Sequence, residues 1–361
     1  MEFHNPILAA VMHDTVSQSF LGPWGPFVAF SALKVVMAIG ILLPMVAYSV
    51  MVERRVSAAI QDRLGPNRVG PFGLLQPMAD GLKSILKEDF TPSHVRKAYF
   101  ILAPAVSMIP AFLTIAVIPF GSKLGNQSMV IADLNVGILY TFSVVSLGVY
   151  GIVLAGYASN SKYPFFGGIR ASAQMISYEI AMGMAAVPVF MLVGDLNLGK
   201  VIEYQANGAW LVFKQPIAFI IFLVAAFAET NRLPFDLPES ETELVSGYNT
   251  EYSSMKFALF FMGEYAAMIS VSALMVVLFF GGWTLPFFGL NETATSFAGG
   301  LVHIMVFLGK VGVFMLLFIW IRWMLPRFRY DQLMDLGWKK FLPLALANII
   351  ITATVLWMTR G

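Results

Sequence analysis

The sequence predicts an all-α, polytopic integral membrane protein, and three observations carry that prediction. Apolar residues make up 58% of the 361 residues and charged residues only 12%, about half of the roughly 25% found in soluble domains. Several apolar runs reach the roughly 20 residues with which a helix crosses a bilayer. No linker long enough to separate domains interrupts these runs, so residues 1–361 are predicted to form a single membrane domain.

Eight apolar segments bounded by turn-forming residues predict about eight transmembrane helices. The fifth is short, because Gln215 and Pro216 begin it and residues 231–234 end it. About 15 residues cover only about 22 Å of the roughly 30 Å hydrocarbon core. Polar backbone at that depth is tolerated only against protein or a water-filled cavity, so a cavity is expected next to the following loop. The predicted segments are 27–52, 98–120, 137–158, 171–193, 215–230, 255–280, 299–323 and 340–358.

The distribution of basic residues predicts the orientation of these segments. Of the 23 Lys and Arg residues, 17 fall in the loops after the first, third, fifth and seventh segments or beside them. Four lie on the opposite face and two inside segments. Cytoplasmic loops carry an excess of Lys and Arg. We therefore expect cytoplasmic odd-numbered loops, with both termini on the periplasmic side of a bacterial inner membrane.

The composition also excludes several kinds of chemistry. There is no cysteine, so this chain holds no disulfide and no thiolate-bound iron–sulfur cluster. The four His are scattered without metal-ligand spacing, and no metal site is predicted. Phosphate-binding glycine motifs are missing, so the chain is not expected to bind a nucleotide, and nothing indicates a nucleic-acid partner.

The first predicted cytoplasmic loop, residues 53–97, has the pattern of an interfacial amphipathic helix. Gly and Pro at 65–66 and 70–73 are typical of turns. Beyond them, apolar and polar residues separate onto two faces at helical spacing. The plain alternative is an ordinary positive-inside loop with a surface helix. The apolar set is Leu75, Met78, Ala79, Leu82, Ile85 and Leu86, and the polar set is Gln76, Asp80, Lys83, Lys87 and Glu88.

Ionisable residues also fall inside the predicted segments. Glu179 lies in the fourth, Glu264 in the sixth, and Glu229 ends the fifth, while Lys34 and Lys310 lie in the first and seventh. A charge at the centre of a membrane helix costs on the order of 2.5–3.5 kcal/mol, so such residues are usually functional. The structural alternative is a buried acid–lysine pair, or a lysine that reaches to the interface.

An acidic run follows the fifth segment. Glu239, Glu241 and Glu243 alternate, so a helix would place the first and third on one side. Like charges this close oppose each other's ionisation, which favours a shared or exchangeable proton. A solvated acidic loop is the alternative, although this run follows a short span on an otherwise basic face.

Two stretches of the sequence carry a family resemblance. Residues 53–89 contain ERR at 53–55, RLGPNRVGPFGLLQP at 63–77 and KED at 87–89, and residues 228–252 read AETNRLPFDLPESETELVSGYNTEY. These stretches resemble both signatures of the H-type subunits of proton-pumping NADH:quinone oxidoreductase, respiratory complex I, a family that includes mitochondrial NADH dehydrogenase subunit 1. The second stretch departs from its signature at Pro238, Ser240 and Thr242 but keeps the acids. The resemblance covers nearly the whole chain.

The resemblance implies a function and a set of site residues. The chain would form the membrane part of a tunnel for a long-tailed quinone, ubiquinone or menaquinone, and would couple quinone reduction to proton translocation. FMN and iron–sulfur clusters would belong to partners, which comprise hydrophilic quinone-site and iron–sulfur subunits, small membrane subunits and antiporter-like subunits. The implied tunnel residues are Glu53, Arg54, Arg55, Arg63, Phe72, Asp80 and Arg232. The implied proton- or charge-coupling residues are Glu179, Glu229, Asp236, Glu239, Glu241, Glu243 and Glu264.

Three other functions stay open at this point. The homologous membrane subunit of a proton-coupled hydrogenase or formate hydrogenlyase is the nearest, but a looser first-loop signature would be expected there. A stand-alone secondary transporter would show internal hydropathy repeats, and none is visible in the sequence. A purely structural membrane anchor would leave the intramembrane acids unexplained.

Overall fold

The computed structural model describes residues 25–124, 127–237, 247–286, 290–294 and 296–360. The prediction of an all-α polytopic membrane protein is confirmed, since seven helices in this part of the chain are long and apolar enough to cross a membrane. An eighth apolar helix, Pro216–Glu229, has only 14 residues and corresponds to the short fifth segment. The strands in the described ranges are one two-residue antiparallel pair, Lys123–Leu124 with Gln127–Ser128.

Twelve α-helices follow one another in the described chain, and most boundaries lie within three residues of the predicted ones. The first long helix ends at Ile60 and not at 52, so that residues 53–55 belong to it and not to the following loop, and the second ends at Leu113 and not at 120. Short 3₁₀ turns at Pro71–Gly73 and Thr114–Val117 and a π-helical turn at Leu336–Phe341 adjoin them. The helices are α1 Gly25–Ile60, α2 Gln76–Leu86, α3 Lys97–Leu113, α4 Gly137–Ala158, α5 Lys162–Val193, α6 Leu198–Ala206, α7 Leu211–Lys214, α8 Pro216–Glu229, α9 Ser254–Phe279, α10 Phe297–Met324, α11 Tyr330–Asp335 and α12 Leu342–Arg360.

The described chain divides into two compact units, with the division between Pro44 and Met45. A single domain over 1–361 therefore stays a prediction. The candidate site residues that the structure describes all lie in the second unit. There, α9 is the most buried of the long apolar helices. Of the residues in its apolar 18-residue stretch, 78% are buried, against at most 50% in the corresponding stretches of the others. The predicted acid Glu264 is thus carried by the central helix.

Helix α5 begins nine residues earlier than predicted, at Lys162 rather than at 171. Pro and Gly residues are typical of turns, but Pro164 lies in the first helical turn, where its missing N–H is not needed. A Cβ on Gly168 would lie 3.2 Å from the Ile152 carbonyl oxygen and 3.4 Å from the Gly156 Cα. The glycine therefore lets α5 approach α4 closely.

The amphipathic helix predicted in the first loop is α2, accompanied by the 3₁₀ turn at 71–73. Its apolar face is exposed, with Met78 64% and Ile85 66% accessible, as expected for a helix at a membrane interface. The C-terminal end of α2 contacts the start of α9, because the Ser254 hydroxyl oxygen lies 2.9 Å from the carbonyl oxygens of both Ser84 and Lys87 and shares its one hydrogen between them.

Lys310 has a structural role in the described chain. Its ammonium nitrogen donates to the carbonyl oxygens of Phe280, Gly282 and Thr284 at 2.7, 3.0 and 2.5 Å. These carbonyls follow the C-terminal end of α9, where a helix leaves carbonyl groups unpaired and favours positive charge. In the described chain Lys310 thus caps a helix end. It neither pairs with an acid nor reaches to the membrane interface, the two arrangements that the sequence had left open.

The predicted orientation can be tested with two introduced thiols, because the chain has no cysteine of its own. Ser93 and Ser128 are both exposed and lie outside the helices. In intact cells, a membrane-impermeant thiol reagent should label Ser128→Cys and leave Ser93→Cys unlabelled until the membrane is opened. Labelling is scored on this chain after isolation by a tag. The reverse pattern would overturn the orientation.

Candidate functional site

A cavity of about 670 Å³ lies in the second unit, walled by the C-terminal part of α1, the turn after it, and residues of α9 and α10. The turn packs directly on α1, because a Cβ on Gly65 would lie only 3.1 Å from the Arg55 Cα. The wall combines apolar, aromatic and charged groups, as in pockets that bind small molecules. Its main charged and aromatic members are Glu53, Arg54, Arg63, Arg68, Phe261, Tyr265, Arg322 and Trp323.

Glu53 connects this cavity to a buried ionic cluster. It lines the cavity, yet only 6% of it is accessible. Its carboxylate accepts from Tyr265 Oη at 2.6 Å and from Arg232 Nη1 at 3.2 Å, and it also pairs with Arg322. A buried carboxylate needs such partners, because an uncompensated charge in a protein interior is very costly.

Arg232 is the centre of the cluster. Besides Glu53 it contacts Glu264, with Nε 2.5 Å from Oε1, and its guanidinium lies 4.4 Å from the centre of the Tyr265 ring. Burial acts to lower the pKa of Arg232, but the charges of Glu264 and Glu53 raise it well above its ordinary value. The side chain therefore stays a cation that holds two acids, one from α1 and one from α9.

A third buried acid has its own arginine. Asp236 Oδ2 lies 3.1 Å from Arg327 Nη2, and both side chains are largely shielded. Among the described residues, the acids Glu53, Glu264 and Asp236 thus face the cations Arg232, Arg322 and Arg327. A change of charge at any one of these six side chains would act on the others, because electrostatic interactions are strong in the protein interior.

Glu229 differs from these acids. It ends α8, is 4% accessible, and neither carboxyl oxygen has a hydrogen-bond partner among the described residues. Glu229 and Glu264 line the same small cavity of about 70 Å³, together with Thr230 and Ser270. A polar cavity larger than about 10–15 Å³ can hold a water molecule. Glu229 and Glu264 thus border one cavity that is large enough to hold water.

Glu179 lies on α5 and is only partly buried. The Ser146 hydroxyl of α4 donates a hydrogen bond to its Oε1. The exposed side chains of Ile176 and Ile180 flank it on the same helix. Glu179 thus sits towards the outside of this chain, whereas Glu229 and Glu264 lie inside it.

The structure brings some of the predicted tunnel residues together and leaves others apart. Glu53, Arg54 and Arg63 line the large cavity; Arg55, Phe72, Asp80 and Arg232 are not in its lining among the described residues. Arg232 lies behind the wall, in contact with Glu53, and Asp80 holds Arg54 at 2.7 Å. Phe72 is 81% accessible, and its carbonyl accepts from Arg55. Of the predicted coupling residues, Glu239, Glu241 and Glu243 lie outside the described residues.

Sequence reasoning missed several residues of this site, among them Tyr265, Arg322 and Trp323. Tyr265 and Arg322 hold Glu53, and Trp323 lines the cavity and donates from Nε1 to Ser57 Oγ at 2.8 Å. Arg322 looked like one more basic residue at the end of a span. Two features of the sequence could have indicated them. Tyr265 directly follows Glu264, and Arg322 and Trp323 end a predicted span on the same predicted cytoplasmic side as the first loop.

Comparison with known proteins places the chain in a family. Residues 33–353 match the family described as NADH dehydrogenase. The chain is 51% identical over 319 residues to the first H-type subunit of NADH-quinone oxidoreductase of Cytophaga hutchinsonii, covering 86% of this chain and 92% of the relative. It is 48% identical over 351 residues to the second H-type subunit of the Koribacter versatilis enzyme, covering 92% and 98%. To the H-type subunit of the Rhodospirillum rubrum enzyme it is 48% identical over 333 residues, covering 91% and 96%. The resemblance seen in the sequence is confirmed, and the chain belongs to the NADH dehydrogenase family, with the H-type subunits of NADH-quinone oxidoreductase.

Proposed function

We propose that this chain is the membrane subunit of a proton-translocating NADH:quinone oxidoreductase and that the 670 Å³ cavity receives the quinone head group. The observation that carries the proposal is Glu53, which belongs both to the cavity wall and to the buried ionic cluster. Binding or reduction of a quinone in the cavity therefore acts directly, through Glu53, on the charges of the buried cluster. Family membership supports this assignment through the names of the relatives.

The chain supplies binding and charge coupling, and its partners supply electrons. With no cysteine, it offers no thiolates for an iron–sulfur cluster, so the clusters would belong to hydrophilic partner subunits, and the family resemblance assigns FMN to them as well. Reduction of a quinone consumes two electrons and two protons, and the charge beside Glu53 changes while these arrive. Trp323, Phe261 and Tyr265 provide apolar and aromatic surface for the ring, and Arg54 and Arg63 provide hydrogen-bond donors.

The same geometry supports a path for the coupling. Glu53 and Glu264 share Arg232, so protonation or displacement at Glu53 changes how strongly the guanidinium holds Glu264. Glu264 in turn shares the 70 Å³ cavity with Glu229. From there the charge would pass to Glu179 on the outer side of α5, and thence to small and antiporter-like membrane subunits. The acids at 239, 241 and 243 are assigned to this path by their sequence pattern.

Arg63 tests the cavity assignment. Arg63→Ala removes a cationic donor from the cavity wall, so quinone reduction by the assembled complex should fall about tenfold. NADH oxidation with a soluble artificial acceptor bypasses the cavity and should keep its wild-type rate. Arg329→Ala is the control, because Arg329 is 77% accessible and pairs only at the surface with Asp331. Equal loss of both activities in assembled Arg63→Ala complex would refute the assignment.

The class of enzyme is tested by purifying the complex in mild detergent through a tag on this chain. Flavin, iron–sulfur clusters and NADH:quinone activity should co-purify. A nickel-containing partner with hydrogen-oxidising activity and no flavin would assign the chain to a hydrogenase or formate hydrogenlyase instead. Recovery of the chain alone would favour a stand-alone transporter or an anchor.

A further inference from the structure

Gln174 makes an unusual set of contacts next to the ionic cluster. It lies on α5, its accessibility is 0%, and the proposed function does not use it. Its amide nitrogen is 2.8 Å from the Ala228 carbonyl oxygen, 2.8 Å from the Phe235 carbonyl oxygen and 3.3 Å from Asn231 Oδ1. Its own amide oxygen has no hydrogen-bond partner among the described residues.

These contacts fix the orientation of the Gln174 amide. All three neighbours of the nitrogen are acceptors, so the reversed amide would set its oxygen against three other oxygens. Ala228 precedes the last residue of α8, where helix carbonyls have no partner within the helix, and Phe235 lies in the following turn. A single side chain from another helix therefore joins both ends of the 228–235 turn.

That turn carries the cluster's central cation. It holds Glu229 and Arg232, and Asp236 follows it directly. Asn231 within it has a φ of +51°, the left-handed conformation with which helices commonly end. The Arg232 contacts at 3.2 and 2.5 Å would be lost if the turn moved by about 1 Å, beyond the roughly 0.5 Å tolerance of preorganised sites.

We propose that Gln174 is a positioning residue for charge coupling, which holds the 228–235 turn so that Arg232 reaches Glu53 and Glu264 together. The inference rests on the proposed function and adds a residue to it. Gln174 does not line the large cavity, so it acts through Arg232 and not on the quinone. A purely structural glutamine would affect only how much complex assembles.

The test measures kcat and KM for a short-tailed quinone per assembled complex. Gln174→Met keeps the volume and removes both N–H donors, so kcat should fall at least fivefold while KM stays within twofold. Gln215→Met is the matched control. Gln215 is also buried, lies at the other end of α8, and bonds Thr352 and Asn348 at 3.0 Å each. Its variant should keep wild-type kcat and KM in whatever complex assembles.

Wild-type kcat in assembled Gln174→Met complex, or an equal loss with Gln215→Met, would overturn the proposal. If Gln174→Met yields too little complex, Gln174→Asn replaces it, because the shorter amide fits but cannot reach both carbonyls. It should lower kcat at least threefold at unchanged KM, and a wild-type kcat would again overturn the proposal.

Glu264→Gln is measured in the same series to separate the two proposals. Wild-type turnover and pumping with Glu264→Gln would remove the coupling function itself. Loss with Glu264→Gln but not with Gln174→Met would leave the coupling function standing and remove only the positioning role of Gln174.

Discussion

Arg232→Met should sharply reduce both the yield and the thermal stability of the assembled complex. The change leaves the Glu53 and Glu264 carboxylates, which contact Arg232 at 3.2 and 2.5 Å, buried without their shared cation. Removing one member of a buried ion pair typically costs ~3–5 kcal/mol, and here one residue serves two acids. The yield is read from native gels and the stability from the midpoint of thermal unfolding.

Two variants give this expectation its controls. Arg329→Met removes an arginine whose side chain is 77% accessible, and exposed pairs contribute about 0–1 kcal/mol, so yield and midpoint should stay at wild-type values. Adding Glu264→Gln to Arg232→Met removes one of the stranded charges and should recover part of both. Normal yield and midpoint with Arg232→Met alone would show that the cluster is not held by this cation.

Glu229→Gln and Glu264→Gln should each lower quinone reduction about tenfold and lower proton pumping in proportion. Gln has nearly the shape of Glu but carries neither a proton nor a negative charge at neutral pH. If the acids only filled space, the change would remove a costly buried charge and leave turnover intact. Pumping is measured by quenching of a pH-sensitive dye in vesicles, beside the rate of quinone reduction.

The double variant distinguishes a relay from two independent sites. Because both residues line the same 70 Å³ cavity, the double variant should be little worse than either single one, as for members of one functional unit. Glu203→Gln is the control, since Glu203 is exposed on α6, and it should be without effect. Losses that multiply in the double variant would contradict the relay.

Local sequence patterns were sufficient for the spans. The segment 137–158 coincides with α4, because apolar length bounded by turn residues is the property that makes a membrane span. The same reasoning misplaced the start of α5, since Pro164 and two glycines are typical both of turns and of first helical turns or close packing. The loop helix α2 was predictable for a different reason, because its apolar and polar residues separate onto two faces at helical spacing.

The candidate site was only partly predictable, because its contacts are distant in sequence. Glu53 meets Arg232 and Arg322 from 179 and 269 residues away, and no local spacing encodes such pairs. The family signatures supplied Glu53 and Arg232, but neither their direct contact nor the bond from Tyr265 to Glu53. Nothing in the sequence indicated a role for Gln174. A single glutamine in an apolar helix can be assigned one only when the carbonyl groups that it contacts in the folded chain are known.

Quinone binding in the 670 Å³ cavity is the central claim, and photolabelling tests it most directly. A photoreactive quinone analogue is irradiated with the assembled complex, and the labelled peptides of this chain are identified by mass spectrometry. Label should fall on residues 50–68, 261–265 or 322–323, and excess quinone should abolish it. Label that is confined to other parts of the chain, or that excess quinone does not displace, would contradict the account.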